Sequence, residues 1–323
     1  MRPLLLSTLP GIEEATVIEV KRIHPLTATE KIGEGKILVE NFPLEKVGSL
    51  RTILCASSVL GIRSLEVLSP RTIRKAIREI LRENSGFEFL EVSLKGLVTD
   101  RGFSEKYLEV IAAREVKRVW KIKCNSRASA RLRVELYGKR VCVSLDFKRN
   151  IFRRSYYVWK HLASLNPALA SSAVLLAGVE ANSNIYDPFS GSGTIPIEAH
   201  FLTKGVECIG SDINVECVRG ALVNAAEAGV KVVFFTADFR KTPIRSCDYL
   251  ITDPPRGKRL RVSNLRKLFE DIFRISEQIV RRRLVLITPY VRLATGVTSS
   301  FKLTKMWSTR VSGSKIRILI YDI

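Results

Sequence analysis

The 323-residue sequence predicts an α/β fold, with a doubly wound, mostly parallel sheet preceded by two α+β units. From about residue 166, short apolar strands alternate with helical segments, as in parallel sheets whose two faces are covered by helices. The last two predicted strands are joined only by Ser312-Gly313-Ser314, so at least one of them runs antiparallel to the rest. The sequence before residue 147 instead mixes strands and helices in an irregular order.

The first half of the chain divides into two predicted domains, residues 1–60 and residues 61–147. A linker over residues 148–165 precedes the third predicted domain, residues 166–323. Strands of the first two domains are predicted over 4–9, 36–39, 65–68, 89–94, 129–136 and 139–145. Their helices are predicted over 12–23, 48–60, 69–81 and 105–121.

The third predicted domain has seven strands and four helices. The strands are predicted over 184–189, 207–213, 231–237, 249–252, 283–288, 301–311 and 315–322. The helices are predicted over 166–177, 194–203, 215–229 and 265–279. In such a sheet the carboxyl ends of the parallel strands meet at one edge, where ligands bind.

The charge is strongly positive, with 53 Lys and Arg against 32 Asp and Glu and a net charge of +21. Between Arg114 and Arg154 there are 14 basic and 3 acidic side chains. A field of this strength attracts polyanions, so nucleic acid is the predicted partner, and the charge alone leaves the kind of nucleic acid open. The candidate RNA-binding residues are Arg127, Arg131, Arg133, Arg149, Arg153, Arg154, Lys258 and Arg259.

Several classes of protein are disfavoured. The three histidines are far apart and no Cys-x-x-Cys pair occurs, so no metal site is predicted. The apolar run near the N-terminus is short and is followed by Glu13 and Glu14, unlike a signal peptide. No apolar run reaches the ~18–20 residues of a membrane span. We therefore expect a cytoplasmic protein without membrane association.

The first motif with a chemical function is Asp187-Pro-Phe-Ser-Gly-Ser-Gly-Thr, at a strand-to-helix turn. Gly191 and Gly193 allow a sharp turn and a close approach of a ligand to the backbone, and Asp187 can hold a positively charged amine. Pro196 replaces the third glycine of a dinucleotide fingerprint, and no Gly-Lys-Ser/Thr follows, which excludes a P-loop. The candidate cofactor-binding residues here are Asp187, Phe189, Ser190, Gly191, Gly193 and Thr194.

Acidic residues also follow the next two predicted strands. Asp212, with Ile213 beside it, is placed to bind the hydroxyls of a ribose, although an acidic residue here could equally cap the next helix. Asp238 can accept a hydrogen bond from an adenine amine, with Phe239 packing on the ring.

The fourth motif, Asp253-Pro254-Pro255-Arg256, ends the fourth predicted strand and is the candidate catalytic turn. An exocyclic base amine is a poor nucleophile because its lone pair is delocalised into the ring. Acceptors that bind its protons, such as the Asp253 carboxylate, can turn the lone pair towards a methyl donor. The two prolines stiffen the turn and leave its carbonyl groups free to accept hydrogen bonds.

In order and spacing, these motifs resemble those of THUMP-domain RNA guanine-N2 methyltransferases. Leu9-Pro-Gly-Ile-Glu resembles the start of that family's ferredoxin-like domain, and residues 61–147 resemble a divergent THUMP domain. The segment that begins Asn166-Pro167 resembles the helix just before the methyl-donor site. The resemblance implies a Rossmann-like class I methyltransferase domain, with Asn166 and Pro167 added to the residues that bind S-adenosylmethionine.

The implied activity is methylation of the N2 amine of a guanosine in tRNA, near position 6 or position 10. One departure from the family is Arg256, which stands where an aromatic residue usually stacks on the flipped base, although a guanidinium can also stack on a base. Two alternatives stay open: a THUMP-type RNA-binding protein with little or no catalysis, and an amino-methyltransferase acting on DNA or rRNA. The oligomeric state and the need for a small activating subunit also stay open.

Overall fold

The computed structural model describes residues 2–85, 91–99, 102–160, 164–256 and 265–323. The chain forms two compact units. The first contains residues 1–8, 20–49 and 53–151, and the second contains residues 9–19, 50–52 and 152–323. Helix α1 (Glu13–Ile23) spans the division. Within the described ranges, no helix is both long enough and apolar enough to cross a membrane.

The first unit is built on one eight-stranded sheet. Its strands are β1 (Leu4–Thr8), β2 (Ala28–Gly33), β3 (Lys36–Glu40), β4 (Ile53–Ser64), β5 (Glu91–Val98), β6 (Lys123–Cys124), β7 (Arg131–Tyr137) and β8 (Arg140–Arg149). Their order is β2-β3-β1-β4-β8-β7-β5-β6, and only the pairs β5–β7 and β5–β6 are parallel. Within β2-β3-β1-β4 all neighbouring strands are antiparallel, so β1 and β3 lack the parallel pairing of a split βαβ unit, and the ferredoxin-like assignment of this part stays a prediction.

Two helices pack on this sheet, α2 (Pro70–Glu83) and α3 (Glu105–Val119), both close to their predicted bounds. Ser69 caps α2 by accepting from the Thr72 backbone N–H, while the Thr72 hydroxyl oxygen accepts from the Ser69 N–H, which together form a capping box. The apolar faces of α2 and α3 are buried against the inner residues of β7 and β8.

Two predictions in the first unit were wrong, and two of its strands, β2 and β6, were not predicted. Residues 48–60 were predicted as a helix, but a short 3-10 helix occupies Leu44–Ser49 and β4 begins at Ile53. This strand is central and its residues are small or apolar, so their pattern does not distinguish a buried strand from a buried helix. Residues 65–68 are not a strand.

The predicted boundary at residue 60 falls inside β4, and both predicted N-terminal domains contribute to one sheet. The division of the chain into domains over 1–60, 61–147 and 166–323, with a linker over 148–165, stays a prediction.

The second unit is built on a seven-stranded sheet, as predicted. Its strands are β9 (Asn184–Asp187), β10 (Glu207–Asp212), β11 (Val233–Thr236), β12 (Cys247–Thr252), β13 (Val280–Thr288), β14 (Lys302–Val311) and β15 (Ser314–Asp322). Its helices are α4 (Pro167–Leu176), α5 (Thr194–Leu202), α6 (Val215–Ala228), α7 (Leu265–Ile279) and α8 (Val291–Thr295). The strand order is β11-β10-β9-β12-β13-β15-β14, with β15 antiparallel to both of its neighbours. The predicted parallel sheet with a C-terminal hairpin is confirmed.

A buried ionic cluster inside the second unit surrounds Glu198 of α5, whose side chain is fully buried. Arg51 donates to it from Nε at 2.5 Å, and Arg154 donates from Nε at 2.9 Å. The hydroxyl groups of Tyr156 and Ser171 donate at 2.7 Å and 2.6 Å. Burial opposes ionisation of Glu198, but the two arginines outweigh it and hold its pKa below the ordinary value.

Candidate active site

Four carboxylates follow the carboxyl ends of four parallel strands in the second unit. Asp187 ends β9, Asp212 ends β10, Asp238 follows β11 and Asp253 follows β12. Strand β9 lies between β10 and β12: the chain proceeds from β9 to β10 and β11 on one side and then crosses back to β12 on the other side. A crevice at such a point of reversal is the usual ligand site of a doubly wound sheet.

Asp187 is almost fully buried, with 2% of its surface exposed. Its Oδ1 accepts from the Thr252 hydroxyl at 2.6 Å and from the Phe189 backbone N–H at 3.2 Å. Burial first, and then the neighbouring carboxylates Asp212 and Asp253, raise the pKa of Asp187 to about 7, against the opposing effect of these hydrogen bonds. A buried carboxyl group with such neighbours is stabilised by a bound cation. Thr252, which sequence reasoning did not select, fixes the orientation of this carboxyl group.

The loop after β9 presents backbone and small side chains at the same edge. Gly191 and Gly193 have φ values of 51° and 77°, which favour glycine. A Cβ at Gly193 would lie 2.7 Å from the ring of Phe234, whereas a Cβ at Gly191 would enter open space. The Ser190 hydroxyl is buried and has no hydrogen-bond partner among the described residues. A buried polar group without a partner is uncommon, which makes the Ser190 hydroxyl a candidate hydrogen-bonding group for a ligand.

A small network of hydroxyl groups holds the far side of this loop. The Tyr157 hydroxyl lies 3.0 Å from Ser192 Oγ and accepts from the Thr194 hydroxyl at 3.2 Å. It also donates to the Leu165 carbonyl at 3.2 Å. Thr194 therefore helps to hold the loop in place. Tyr157, which was not predicted, also positions the loop.

Asp212 connects the glycine loop to the end of β10. Its Oδ2 accepts from the Gly191 backbone N–H at 3.0 Å, and its Oδ1 accepts from the Asn214 N–H at 2.9 Å. The alternative role of Asp212, as the cap of α6, is taken by Asn214, whose side chain accepts from the Glu216 backbone N–H. Ile213 is 67% exposed, so its apolar surface is free to pack on a flat ring. The Asp212 carboxylate has further lone pairs for ligand hydroxyl groups.

Asp238 and Phe239 differ from the prediction in what they contact. Asp238 caps a 3-10 helix over Phe239–Lys241, and its carboxylate pairs with the Arg240 guanidinium at 2.6 Å, which lowers its pKa. The Phe239 ring is buried in the core against Tyr186 and Phe189. It is therefore not placed to cover an adenine ring, and we leave Phe239 out of the proposed cofactor contacts.

Asn166 and Pro167 occupy structural positions at the start of α4. The Asn166 side chain accepts from the Ala168 backbone N–H at 2.8 Å, and Pro167 fills the first turn and is buried. Both residues suit the beginning of a helix, and their contact with a cofactor stays a prediction.

The candidate catalytic turn follows β12. Asp253 is 13% exposed, and the Arg256 guanidinium forms a bidentate pair with it at 2.8 Å and 2.9 Å. Burial raises the pKa of Asp253 to about 6, and Arg256 opposes this rise. The Tyr290 hydroxyl donates to the Arg256 carbonyl at 2.6 Å and so fixes the turn to the end of β13. Pro254 is buried and Pro255 is half-buried. The turn thus presents a proton acceptor whose charge is balanced by a neighbouring cation.

Residues 154–318 match the family described as the UPF0020, RMKL-like, methyltransferase domain. The chain belongs to this methyltransferase family. The resemblance found in its motifs is therefore confirmed at the level of the family, and the matched residues include all four carboxylates at the sheet edge.

The curated relatives that the chain matches include two kinds of tRNA guanine-N2 methyltransferase. The tRNA (guanine(6)-N2)-methyltransferase of Archaeoglobus fulgidus is 28% identical over 191 residues, which cover 49% of this chain and 48% of that protein. The tRNA (guanine(10)-N2)-dimethyltransferase of Methanothermobacter thermautotrophicus is 38% identical over 96 residues, covering 29% and 28%. This chain thus spans about half the length, or less, of these curated relatives. The crystal structure of TrmN from Thermus thermophilus has the same fold, with a TM-score of 0.83, 21% identity and coverage of 100% and 99%.

The arginines predicted to bind RNA have different environments in the structure. Arg133 is 16% exposed and donates to Asp146 at 2.5 Å, and Arg154 is 8% exposed and pairs with Glu198. We withdraw both from the proposed RNA contacts, because their charges are already compensated in buried pairs. Arg131 is half-buried, and Arg127, Arg149 and Arg153 are exposed. Lys258 and Arg259 lie outside the described residues.

Proposed function

We propose that this protein transfers a methyl group from S-adenosylmethionine to the N2 amine of a guanosine in tRNA. The observation that carries this proposal is the row of carboxylates at the carboxyl edge of the second sheet, with Asp253 largely buried beside the Pro-Pro turn. The guanine-N2 specificity named for the relatives supports the same reaction. A tRNA substrate also favours the proposed location in the cytoplasm.

S-adenosylmethionine, when bound, supplies the electrophilic methyl group. Residues of this chain fit the parts of that molecule in turn. Asp187 offers a buried carboxylate for its ammonium group, and Asp212 offers free lone pairs for its ribose hydroxyl groups. Ser190 supplies an unpartnered hydroxyl, and exposed Ile213 supplies an apolar surface for the adenine ring. Asp238 keeps its proposed role as an acceptor for the adenine amine.

Asp253 accepts a hydrogen bond from the N2 amine of the target guanine, turns its lone pair towards the methyl group and takes up the proton released on transfer. The base must leave its stack to reach this turn. Because Arg256 occupies both oxygens of Asp253, the amine has to replace part of that pair. The released guanidinium is then free to stack on the base, in the place where the family usually has an aromatic residue.

Within this activity, position 6 of tRNA is favoured over position 10. Matches to the guanine-6 enzymes extend over about half of the chain, whereas the match to the guanine-10 dimethyltransferase above covers 29% of it. A DNA or rRNA amino-methyltransferase would show label on those nucleic acids and not on tRNA. An RNA-binding protein without catalysis would bind tRNA and transfer no label.

A pair of variants tests the assignment of roles at the edge. We expect Asp253→Ala to abolish methyl transfer and leave the Kd for S-adenosylmethionine nearly unchanged. We expect Asp212→Ala to weaken donor binding by about 1–3 kcal/mol, the cost of unpaired polar groups. Titration calorimetry gives the donor affinity, and transfer of labelled methyl groups to tRNA gives the turnover. Unchanged turnover in Asp253→Ala would contradict the catalytic assignment.

A further inference from the structure

A second concave site lies beside the candidate catalytic turn, at the carboxyl end of β13. It is an open cavity of about 320 Å³. Residues from the loop and short helix after β13 form most of its wall, and one residue of β15 completes it. The lining residues are Pro289, Tyr290, Val291, Arg292, Leu293 and Arg317.

This cavity is close to Asp253 for two structural reasons. Strands β12 and β13 are parallel neighbours, with Thr252 opposite Leu286, so both chains leave the sheet at the same edge. In addition, Tyr290 lines the cavity and donates its hydroxyl to the Arg256 carbonyl at 2.6 Å. The wall of the cavity and the candidate catalytic turn are thus joined by a direct hydrogen bond.

The side chains that line the cavity carry positive charge. Among the described residues, the lining includes Arg292, which is exposed, and Arg317, which is half-buried, but no acidic residue. On the adjoining hairpin, Arg310 of β14 lies directly opposite Lys315 of β15, and both are exposed. Like charges placed opposite each other destabilise a strand pair, and a bound anion relieves that repulsion. Lys315 and Arg317 lie two residues apart on one face of β15, so this pair extends the positive charge of the cavity along the hairpin.

We propose that this cavity binds a backbone phosphate of the RNA strand next to the target nucleotide, through Arg292 and Arg317. This inference rests on the proposed function, because that function supplies the RNA substrate and places its reactive base at Asp253. A phosphate held here fixes the strand beside the turn, since phosphate contacts set register and orientation. Tyr290, through the Arg256 carbonyl, keeps the phosphate site and the turn at a constant separation.

The test compares two double variants that remove equal charge from the same sheet. Arg292→Ala with Arg317→Ala removes the proposed phosphate ligands. Arg245→Ala with Arg281→Ala is the control, because these exposed arginines lie before β12 and at the start of β13, at the opposite edge. The Kd for unmodified tRNA is measured by filter binding from low to high salt, and the Kd for S-adenosylmethionine reports on folding.

We expect the cavity variant to raise the tRNA Kd by about tenfold or more, since hydrogen bonds to a charged group are lost. The slope of log affinity against log salt should fall by about 0.7 to 0.9 for each phosphate contact removed. The control should change both quantities much less, and neither variant should alter donor binding. Equal effects of the two double variants, or no effect of the first, would overturn the proposal.

The assay does not depend on turnover, so it separates this inference from the proposed function. If the wild-type protein methylates tRNA and the cavity variant binds tRNA normally, the cavity inference alone fails. If the wild-type protein transfers no methyl group but the cavity variant weakens tRNA binding selectively, the phosphate site stands and the catalytic proposal fails. An absence of tRNA binding by the wild-type protein, even at low salt, would overturn the phosphate site.

Discussion

The affinity for S-adenosylmethionine should depend on pH through the ionisation of Asp187. This carboxyl group is 2% exposed, and burial raises its pKa to about 7. Only the ionised form attracts the ammonium group of the donor. At pH 6.0 about a tenth of the Asp187 carboxyl groups are ionised, and at pH 7.5 about three quarters are, by the usual titration relation. We therefore expect the donor to bind roughly eightfold more tightly at pH 7.5, a difference of about 1.2 kcal/mol.

The Asp187→Asn variant isolates this effect. Asparagine has the same shape and can keep the two hydrogen bonds that Oδ1 accepts from Thr252 and Phe189. We expect the variant to bind the donor more weakly than the wild type at pH 7.5 and with little dependence on pH. Titration calorimetry between pH 6.0 and 7.5 measures both proteins, and any loss of the donor's own α-amino proton affects the two profiles equally. A flat profile for the wild type, or an equally steep profile for Asp187→Asn, would refute the assignment.

Stability of the ligand-free protein should change in the opposite direction. Because the folded-state pKa of Asp187 is raised above its ordinary value of 3.8, its contribution to stability is fully present below that value. The contribution is lost as the pH rises through about 7. Donor should therefore stabilise the protein more at pH 7.5 than at pH 6.0, a difference that thermal unfolding with and without donor can measure.

Two further predictions concern ion pairs. Arg256→Ala should move the acid limb of the pH–turnover profile to higher pH, because Arg256 opposes the rise in the pKa of Asp253 caused by burial; an unmoved limb would show that the pair has no influence on the acceptor. Glu198→Gln should lower the free energy of unfolding by about 3–5 kcal/mol, because it leaves two largely buried arginines without their counter-charge. The control variant Glu227→Gln, on the exposed face of α6, should change the free energy of unfolding little. The pKa of Glu198 is lowered by folding, so its ionised form should stabilise the protein above its ordinary pKa of 4.5, and this stabilisation should be lost as the pH falls through the folded-state pKa. Denaturant unfolding measured over this pH range checks the prediction. A wild-type stability that does not fall would contradict it.

Sequence alone was sufficient for the sheet of the second unit because its signals are local. Each parallel strand is a short apolar run, and each of Asp187, Asp212 and Asp253 stands directly at a strand end. Residues 53–64 show the limit of such patterns, because their small apolar side chains fit a helix or a central strand equally well. Only the pairing with β1 and β8 decides between the two.

The failures at individual side chains have a common physical cause, which is a partner distant in sequence. Arg133 is paired with Asp146, on the neighbouring strand of a hairpin, and Arg154 is paired with Glu198, on a helix of the second unit. Neither partner is apparent from the local charge pattern, which showed only an excess of basic residues. Phe239 is similar, because its burial depends on core packing and not on its place after a strand end.

The most direct test of the central claim is the identity of the methylated nucleoside. The purified protein is incubated with labelled S-adenosylmethionine and unmodified tRNA, and the RNA is digested and its nucleosides are separated. The account predicts labelled N2-methylguanosine that maps to one position of the tRNA, with position 6 favoured. Absence of label on tRNA while the donor still binds, or label on a different base, would contradict it.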